Sequence, residues 1–211
     1  MVSSATSILI DESGAMVQGL ALLLPSDEKL LEQSARGDRQ ALEELFCRYR
    51  QIAFRVAYRL LGNEADALDA VQEAFVKALI HLPKFQGRSS FKTWLLRVVS
   101  NASLDFGRQR GRREALSMDA MAVQTRLDLE PLVMEEPGRG LERADLRRQL
   151  QEALEHLSPV QRQTFVLHAE AELSYREVAQ TLGISIGTVM SRLYYARLKL
   201  REILAPRTTI Q

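Results

Sequence analysis

Apolar residues recur at helical spacing through almost the whole chain, and no stretch alternates apolar and polar residues long enough to read as a strand. A chain with this one period must bury its stripes helix on helix, so the expected fold class is all-α. Hydrophobic residues make up 46% and charged residues 26% of the 211, enough to build a buried core and unlike a disordered polymer. That length allows one large domain or two small ones, so internal landmarks must decide.

Ser26 and Asp27 can cap a first helix running to Ala35, which Gly37 ends. Asp38 then opens a second, with Leu42, Leu45, Phe46, Tyr49, Ala53, Val56 and Leu60 on one stripe and Gly62-Asn63 as its stop. A third runs from about Glu64 to Leu82, with Leu68, Val71, Phe75, Ala78 and Leu79 inward and Asp69, Gln72, Glu73 and Lys77 outward. The fourth spans Ser90 to about Arg108 and offers Phe91, Trp94, Leu95, Val98, Val99 and Leu104 for packing. Ala115 to Gly140 has weak periodicity and contains Pro131, Pro137, Gly138 and Gly140, which marks a flexible linker. Helices resume over Leu141–Leu157, Val160–Ala169, Ser174–Leu182 and Ser185–Leu204. The expected organisation is an N-terminal extension (1–25), a helical domain (26–114), a linker (115–143), a second helical domain (144–205) and a tail (206–211).

A net charge of +1 conceals segregation. Arg88 to Arg113 holds seven basic residues against Asp105 alone, or +6, and Thr188 to Arg201 holds four against none, or +4. Between them, Ala115 to Asp145 carries seven acids and three arginines, or −4. Two cationic patches separated by an acidic linker suit a nucleic-acid partner better than the average does.

The C-terminal segments follow helix-turn-helix grammar. Ser174-Tyr175-Arg176-Glu177 has capping-box spacing, Gly183 suits a left-handed helix end, and Ser185 can cap the next helix after a short turn. At 100° per residue, Val189, Leu193, Ala196 and Leu200 form one inward stripe, and Gly187, Ser191 and Tyr194 point the opposite way, flanked by Met190 and Tyr195. A recognition helix reads base edges in this manner, with cations reaching phosphates on either side. Periodicity alone also admits, as the lesser alternative, a helical hairpin whose basic last turns complement the helix dipole.

The runs Leu154-Glu155-His156-Leu157-Ser158-Pro159-Val160-Gln161-Arg162, Leu173 to Ala179 and Gly187 to Leu193 resemble domain four of extracytoplasmic-function (ECF) sigma factors of the sigma-70 family. Independently, Gly37-Asp38, Ala41-Leu42, Leu45-Phe46, Asp66 to Phe75 and Phe91-Lys92-Thr93-Trp94-Leu95 resemble domain two. The resemblance implies an RNA polymerase specificity subunit that binds core polymerase, recognises the −10 and −35 promoter elements and initiates transcription in a stress or envelope response. It also implies an anti-sigma partner.

Carried over residue by residue, the resemblance implies that Asp66, Asp69, Gln72 and Glu73 dock on the clamp helices of the largest polymerase subunit, while the second module meets the flap. It places −10 recognition and melting on Trp94, Asn101, Ser103, Arg108, Arg110, Arg112 and Arg113, and −35 reading on Thr188, Met190, Ser191, Arg192, Tyr194, Tyr195 and Arg197. Separated strands need stacking surfaces and cations, which these residue types supply. Among neighbouring apolar residues, Trp94 reads as an anchor of the core more than a base contact, and Asn101 as the base contact. The sequence departs from the family pattern at Leu68 and Ala70, and at Met190 and Tyr195, where basic residues are common.

Other classes fit less well. The one cysteine, Cys47, excludes a disulfide framework and reads as a small packed residue, and the three histidines are too scattered for a metal site. The apolar run Leu20–Leu24 is too short to span a membrane and lacks a preceding basic residue, so a cytoplasmic location without membrane insertion is expected. No phosphate-binding glycine loop or nucleophile-base pair suggests an enzyme, and no cofactor is expected. A stand-alone helix-turn-helix regulator is the competing reading, but it leaves Asp69, Gln72, Glu73 and Trp94 without a role.

Overall fold

The computed structural model describes residues 25–116 and 140–205, and their side chains over 25–112 and 146–205. Expectations for the N-terminal extension, for most of the linker and for the tail lie outside the described residues. Among those described, every regular element is helical: α1 (Asp27–Ala35), α2 (Arg39–Leu61), α3 (Glu64–His81), α4 (Phe91–Leu116), α5 (Gly140–Glu155), α6 (Pro159–Ala169), α7 (Tyr175–Leu182) and α8 (Ile186–Leu204), with one 3-10 turn at Leu82–Lys84. The all-α expectation holds. By its internal contacts the chain divides into two units, Met1–Leu45 and Phe46–Gln211.

In the first unit, the Ser26 hydroxyl accepts from the Lys29 amide at 3.3 Å and starts α1. Asp38 Oδ1 accepts from the amides of Gln40 and Ala41 at 2.9 and 3.2 Å, satisfying orphan donors at the start of α2. Leu30, Ala41 and Leu45 are buried.

In the second unit α3 packs along α4, and the buried face of α3 is Ala67, Ala70, Val71, Ala74 and Ala78. The inward stripe expected from its larger residues is therefore rotated: Val71 and Ala78 are inside, Leu68 and Phe75 are half-buried, and Leu79 is 43% exposed. A row of alanines lets two helices approach closely, and the bulkier side chains are displaced to the flanks. Phe75 still contributes, meeting Phe46 edge to face at 5.0 Å. Cys47 is exposed, contrary to its reading as a packed residue, because it follows the buried Phe46 on the solvent side of α2.

The helix α4 continues well past Arg108, through Gly107 and Gly111 to Leu116. Glycine usually weakens a helix by about 1 kcal/mol. At Gly107 close packing offsets that cost, since an added Cβ would lie 3.3 Å from Leu61 Cδ2. Farther along, α8 lays its expected stripe of Val189, Leu193, Ala196 and Leu200 against α5, α6 and α7. Leu154, Val166, Leu167 and Val178 complete this core.

The end of α2 is the meeting point of distant segments. Arg162 of α6 donates to the carbonyl of Leu60 at 3.1 Å and to that of Glu155 at 2.8 Å, satisfying two helix-end acceptors with one guanidinium. Burial pushes the Arg162 guanidinium below the usual arginine range, and the neighbouring Glu155 charge opposes that shift. Glu170 takes Arg55 at 2.9 Å and Arg59 at 3.3 Å. Gly62 turns the chain out of α2 with φ +74°, in the left-handed region that favours glycine, and an added Cβ would lie 3.0 Å from Glu155 Oε1. Gly62→Ala is therefore expected to lower unfolding stability by about 1–2 kcal/mol. Gly111→Ala, in a helix interior with nothing within 4 Å of its added Cβ, is expected to raise it by up to about 1 kcal/mol. Urea unfolding of the two variants checks the opposite signs.

Candidate nucleic-acid interface

Local chemistry aims the last helix outward. Ser174 and Glu177 form a reciprocal capping box at the start of α7, with Ser174 Oγ accepting from the Glu177 amide at 3.3 Å and Glu177 Oε2 accepting from the Ser174 amide at 2.8 Å. Gly183 closes α7 in the left-handed conformation at φ +65°, and Ser185 accepts from the Thr188 amide at 3.1 Å to open α8. The helix-turn-helix grammar of the sequence is realised bond by bond.

With its stripe buried, α8 presents Met190, Ser191, Tyr194 and Tyr195 to solvent, the two tyrosines edge to face at 5.4 Å. Thr188 and Arg192 are half-buried beside them, and Arg197 donates to Tyr175 Oη at 3.4 Å. The seven residues expected on this surface thus share one side of the helix or its borders. Tyr175, which sequence reasoning does not select, joins Met190, Tyr194, Arg197, Leu198 and Arg201 around an open cavity of about 490 Å³. Its place at the first position of α7 carries no signal for that role, because the contact depends on the packing of α7 against α8.

The residues expected on α4 do not behave as one set. Trp94 is half-buried between Phe85 and Phe91, with ring centroids at 5.2 and 5.6 Å, which agrees with its reading as an anchor. Asn101, Arg108 and Arg112 are exposed. Ser103 is fully buried and donates to the Val99 carbonyl at 2.9 Å, so this candidate base contact is a packing residue instead. Arg108 pairs with Asp105 at 2.8 Å, and Arg110 pairs with Asp66 of α3. The side chain of Arg113 lies outside the described residues.

On α3, Glu73 is exposed and bonded to Lys77 at 2.6 Å, while Asp69 and Gln72 are half-buried along the same edge. Asp66, expected among the docking residues, is only 14% exposed in its side chain. Sequence reasoning misses the continuation of this surface: Val76, Leu79 and Ile80 are 55, 43 and 66% exposed. The spacing from Asp69 and Glu73 to Val76 and Ile80, in steps of three and four, is the available signal. Exposed apolar residues in a row mark a surface built to be covered.

Hydrogen bonds tie α4 to the C-terminal helices. Glu177 Oε1 accepts from Thr93 of α4 at 3.4 Å, and Gln163 of α6 donates to Ser100 of α4 at 3.4 Å. The Ser174 hydroxyl and amide hold the Glu177 carboxyl below the usual glutamate range; burial acts the other way, and Thr93 and Lys92 assist.

Comparison with known proteins brings these two surfaces together. The family described as Sigma-70 region 2 matches residues 45–113, and that described as Sigma-70, region 4 matches 147–200. The ECF RNA polymerase sigma factor SigE of Mycolicibacterium smegmatis is 35% identical over 190 residues, covering 88% of this chain and 72% of that protein. Among solved structures, CnrH in complex with the cytosolic domain of CnrY is similar at a TM-score of 0.63 and 29% identity, covering 84% of this chain and 96% of that one. RpoE in complex with the anti-sigma factor NepR, from Bartonella quintana, is similar at 0.60 and 26%, covering 79% and 98%.

A depressed carboxylate stabilises the fold above its unfolded value, and that contribution is lost as the pH falls through the folded one. Glu177→Ala is expected to cost about 1 kcal/mol at neutral pH, the usual worth of a helix cap. The difference from the parent should shrink below about pH 4.3, where the unfolded glutamate protonates. Glu177→Gln, which keeps the acceptor oxygen, should cost less and depend less on pH. Denaturant titrations at neutral and acidic pH provide the comparison.

Proposed function

The chain belongs to the ECF group of the sigma-70 family of RNA polymerase sigma factors, and from this we propose how its surfaces divide the work of transcription initiation. One module, residues 26–114, docks on core polymerase and opens the −10 element; the other, 144–205, reads the −35 element. The observation that carries this division is the coexistence in one chain of an exposed acidic-apolar edge on α3 and an outward aromatic face on α8.

The docking edge is Asp69, Gln72 and Glu73, extended by Val76, Leu79 and Ile80. An apolar row flanked by charges suits a protein partner, because the centre of such an interface is drier than its rim. Asn101, Arg108 and Arg112 track the opened −10 strand, and Phe85 joins Trp94 in supporting the surface beside it. On α8, Met190, Ser191, Tyr194 and Tyr195 face the base edges, and Thr188, Arg192 and Arg197 hold the backbone. The second module also contacts the polymerase flap. No covalent step is assigned to the chain.

A stand-alone regulator is not favoured, since it has no use for the α3 edge. The similar RpoE is described in complex with an anti-sigma factor. We extend that kind of partner to this chain, and with it a cytoplasmic site of action; no helix among the described residues is long and apolar enough to cross a membrane.

Reconstituted transcription with core polymerase on a genomic promoter library tests the proposal. Specific initiation is expected, and failure to bind core would remove the reading. In the same assay, Ile80→Asp should weaken core binding by about tenfold or more, as a charge placed in a dry interface costs at least about 1.4 kcal/mol. Tyr194→Ala should leave core affinity intact and alter which promoters are selected.

A further inference from the structure

The basic end of α4 is sorted by its own helical geometry. At 100° per residue, Ser103, Gly107 and Arg110 fall within about 60° of one another, and Asn101, Arg108 and Arg112 lie on the opposite side. The first group faces the body of the protein. Ser103 is fully buried, Gly107 approaches Leu61 so closely that a Cβ would sit 3.3 Å from its Cδ2, and Arg110 reaches back to Asp66 of α3. The second group is exposed to solvent, and Arg110, though directed toward Asp66, keeps 46% of its side chain exposed.

Asp66 is built to receive that arginine. Asn63 caps α3 by accepting the Asp66 amide at 3.0 Å, which fixes the backbone from which the carboxylate projects. The carboxylate is mostly covered, with 14% of the side chain exposed, whereas Glu73 on the docking edge is 46% exposed. Arg108 and Arg112 are bonded within their own helix, to Asp105 at 2.8 Å and from Arg112 Nε to the Arg108 carbonyl at 3.3 Å. The Arg110 bond instead joins α4 to another helix, across 44 residues of chain.

We propose that Asp66 and Arg110 are a pair of positioning residues. The pair fastens the basic end of α4 to the first turn of α3 and so aims Asn101, Arg108 and Arg112 at the opened strand, while neither member touches polymerase or DNA. This rests on the promoter-opening role proposed above for α4, and it reassigns Asp66 from docking and Arg110 from phosphate contact. A cation held by a covered carboxylate adds little net charge for a phosphate to find, whereas Arg112, bonded to a carbonyl, keeps its charge for one.

The test uses holoenzyme assembled on a fork-shaped DNA carrying a single-stranded −10 segment, with affinity measured across a range of salt concentrations and core affinity measured alongside. Asp66→Ala and Arg110→Ala should each weaken fork binding about threefold to fivefold, the scale of a single ion pair, and the double variant should be no worse than either. The exchange Asp66→Arg with Arg110→Asp should recover part of the loss. Core affinity should not move, and the salt slope should stay that of the parent, whereas Arg112→Ala should reduce it by about one. A slope reduced by about one in Arg110→Ala, a loss of core affinity in Asp66→Ala, or additive single effects would each overturn the proposal. Should the parent holoenzyme not bind the fork, the promoter reading fails by itself; the pair is then judged by thermal unfolding, where non-additive losses support it and additive ones sink it.

Discussion

The C-terminal end of α2 draws together segments from three other parts of the chain. A helix terminus leaves carbonyls unpaired, and leaving such groups dry and unbonded costs about 1–3 kcal/mol each. Here the Leu60 carbonyl is taken by Arg162, and that of Arg59 by Gln151 Nε2 at 3.5 Å. Arg55 and Arg59 converge on Glu170 from the same helix. The groups meeting this one terminus come from α5, α6 and the residue just beyond α6, roughly a hundred positions away. Gly62 must then turn sharply away, because a side chain there would meet Glu155 and Gln151.

This arrangement also withdraws particular cations from any partner. Arg59 keeps 13% of its side chain exposed, and Arg162 is spent on two carbonyls. On the proposed function, recognition falls to cations that hold no other helix in place: those on the outward side of α4 and along the borders of α8. A count of basic residues in sequence overstates the binding surface. Geometry, by turning Arg110 onto Asp66 while Arg112 points outward two positions later, corrects the count.

The fold is largely legible in the sequence because its cues are local. Caps at Ser26, Ser158, Ser174 and Ser185, the proline at 159 and the left-handed Gly183 all act within four residues, so each boundary can be read from its neighbours. Local reading fails where the cause is tertiary. α4 runs on beyond Arg108 through two glycines, one of which is excused by Leu61 from another helix. On α3 residue size points the largest side chains inward, but small ones face α4, and Leu79 is left outside. Ser103 and Asp66 are selected by position in a motif, and only packing reveals that one is buried and the other paired. The outward face of α8 is legible for the opposite reason: its inner stripe is so regular that the remaining side has to be exposed.

If α8 reads DNA as proposed, that face separates affinity from selectivity along a single helix. Its centre is Met190, Ser191, Tyr194 and Tyr195, while Arg192 and Lys199 border it on one side, Arg197 on the other, and Arg201 lies beyond it toward the helix end. Cations at the borders neutralise phosphates and carry the salt-dependent part of binding, which is indifferent to sequence. Met and Tyr at the centre cannot form the bidentate bonds by which arginine selects guanine; they offer apolar contact for a thymine methyl and single hydroxyl bonds. Because Met190 and Tyr195 stand where the family pattern commonly has basic residues, a guanine-reading chemistry built on those positions does not transfer here. On the proposed reading selection comes from shape and methyl contact, each weaker per position than a bidentate pair, so discrimination is summed over several neighbouring bases.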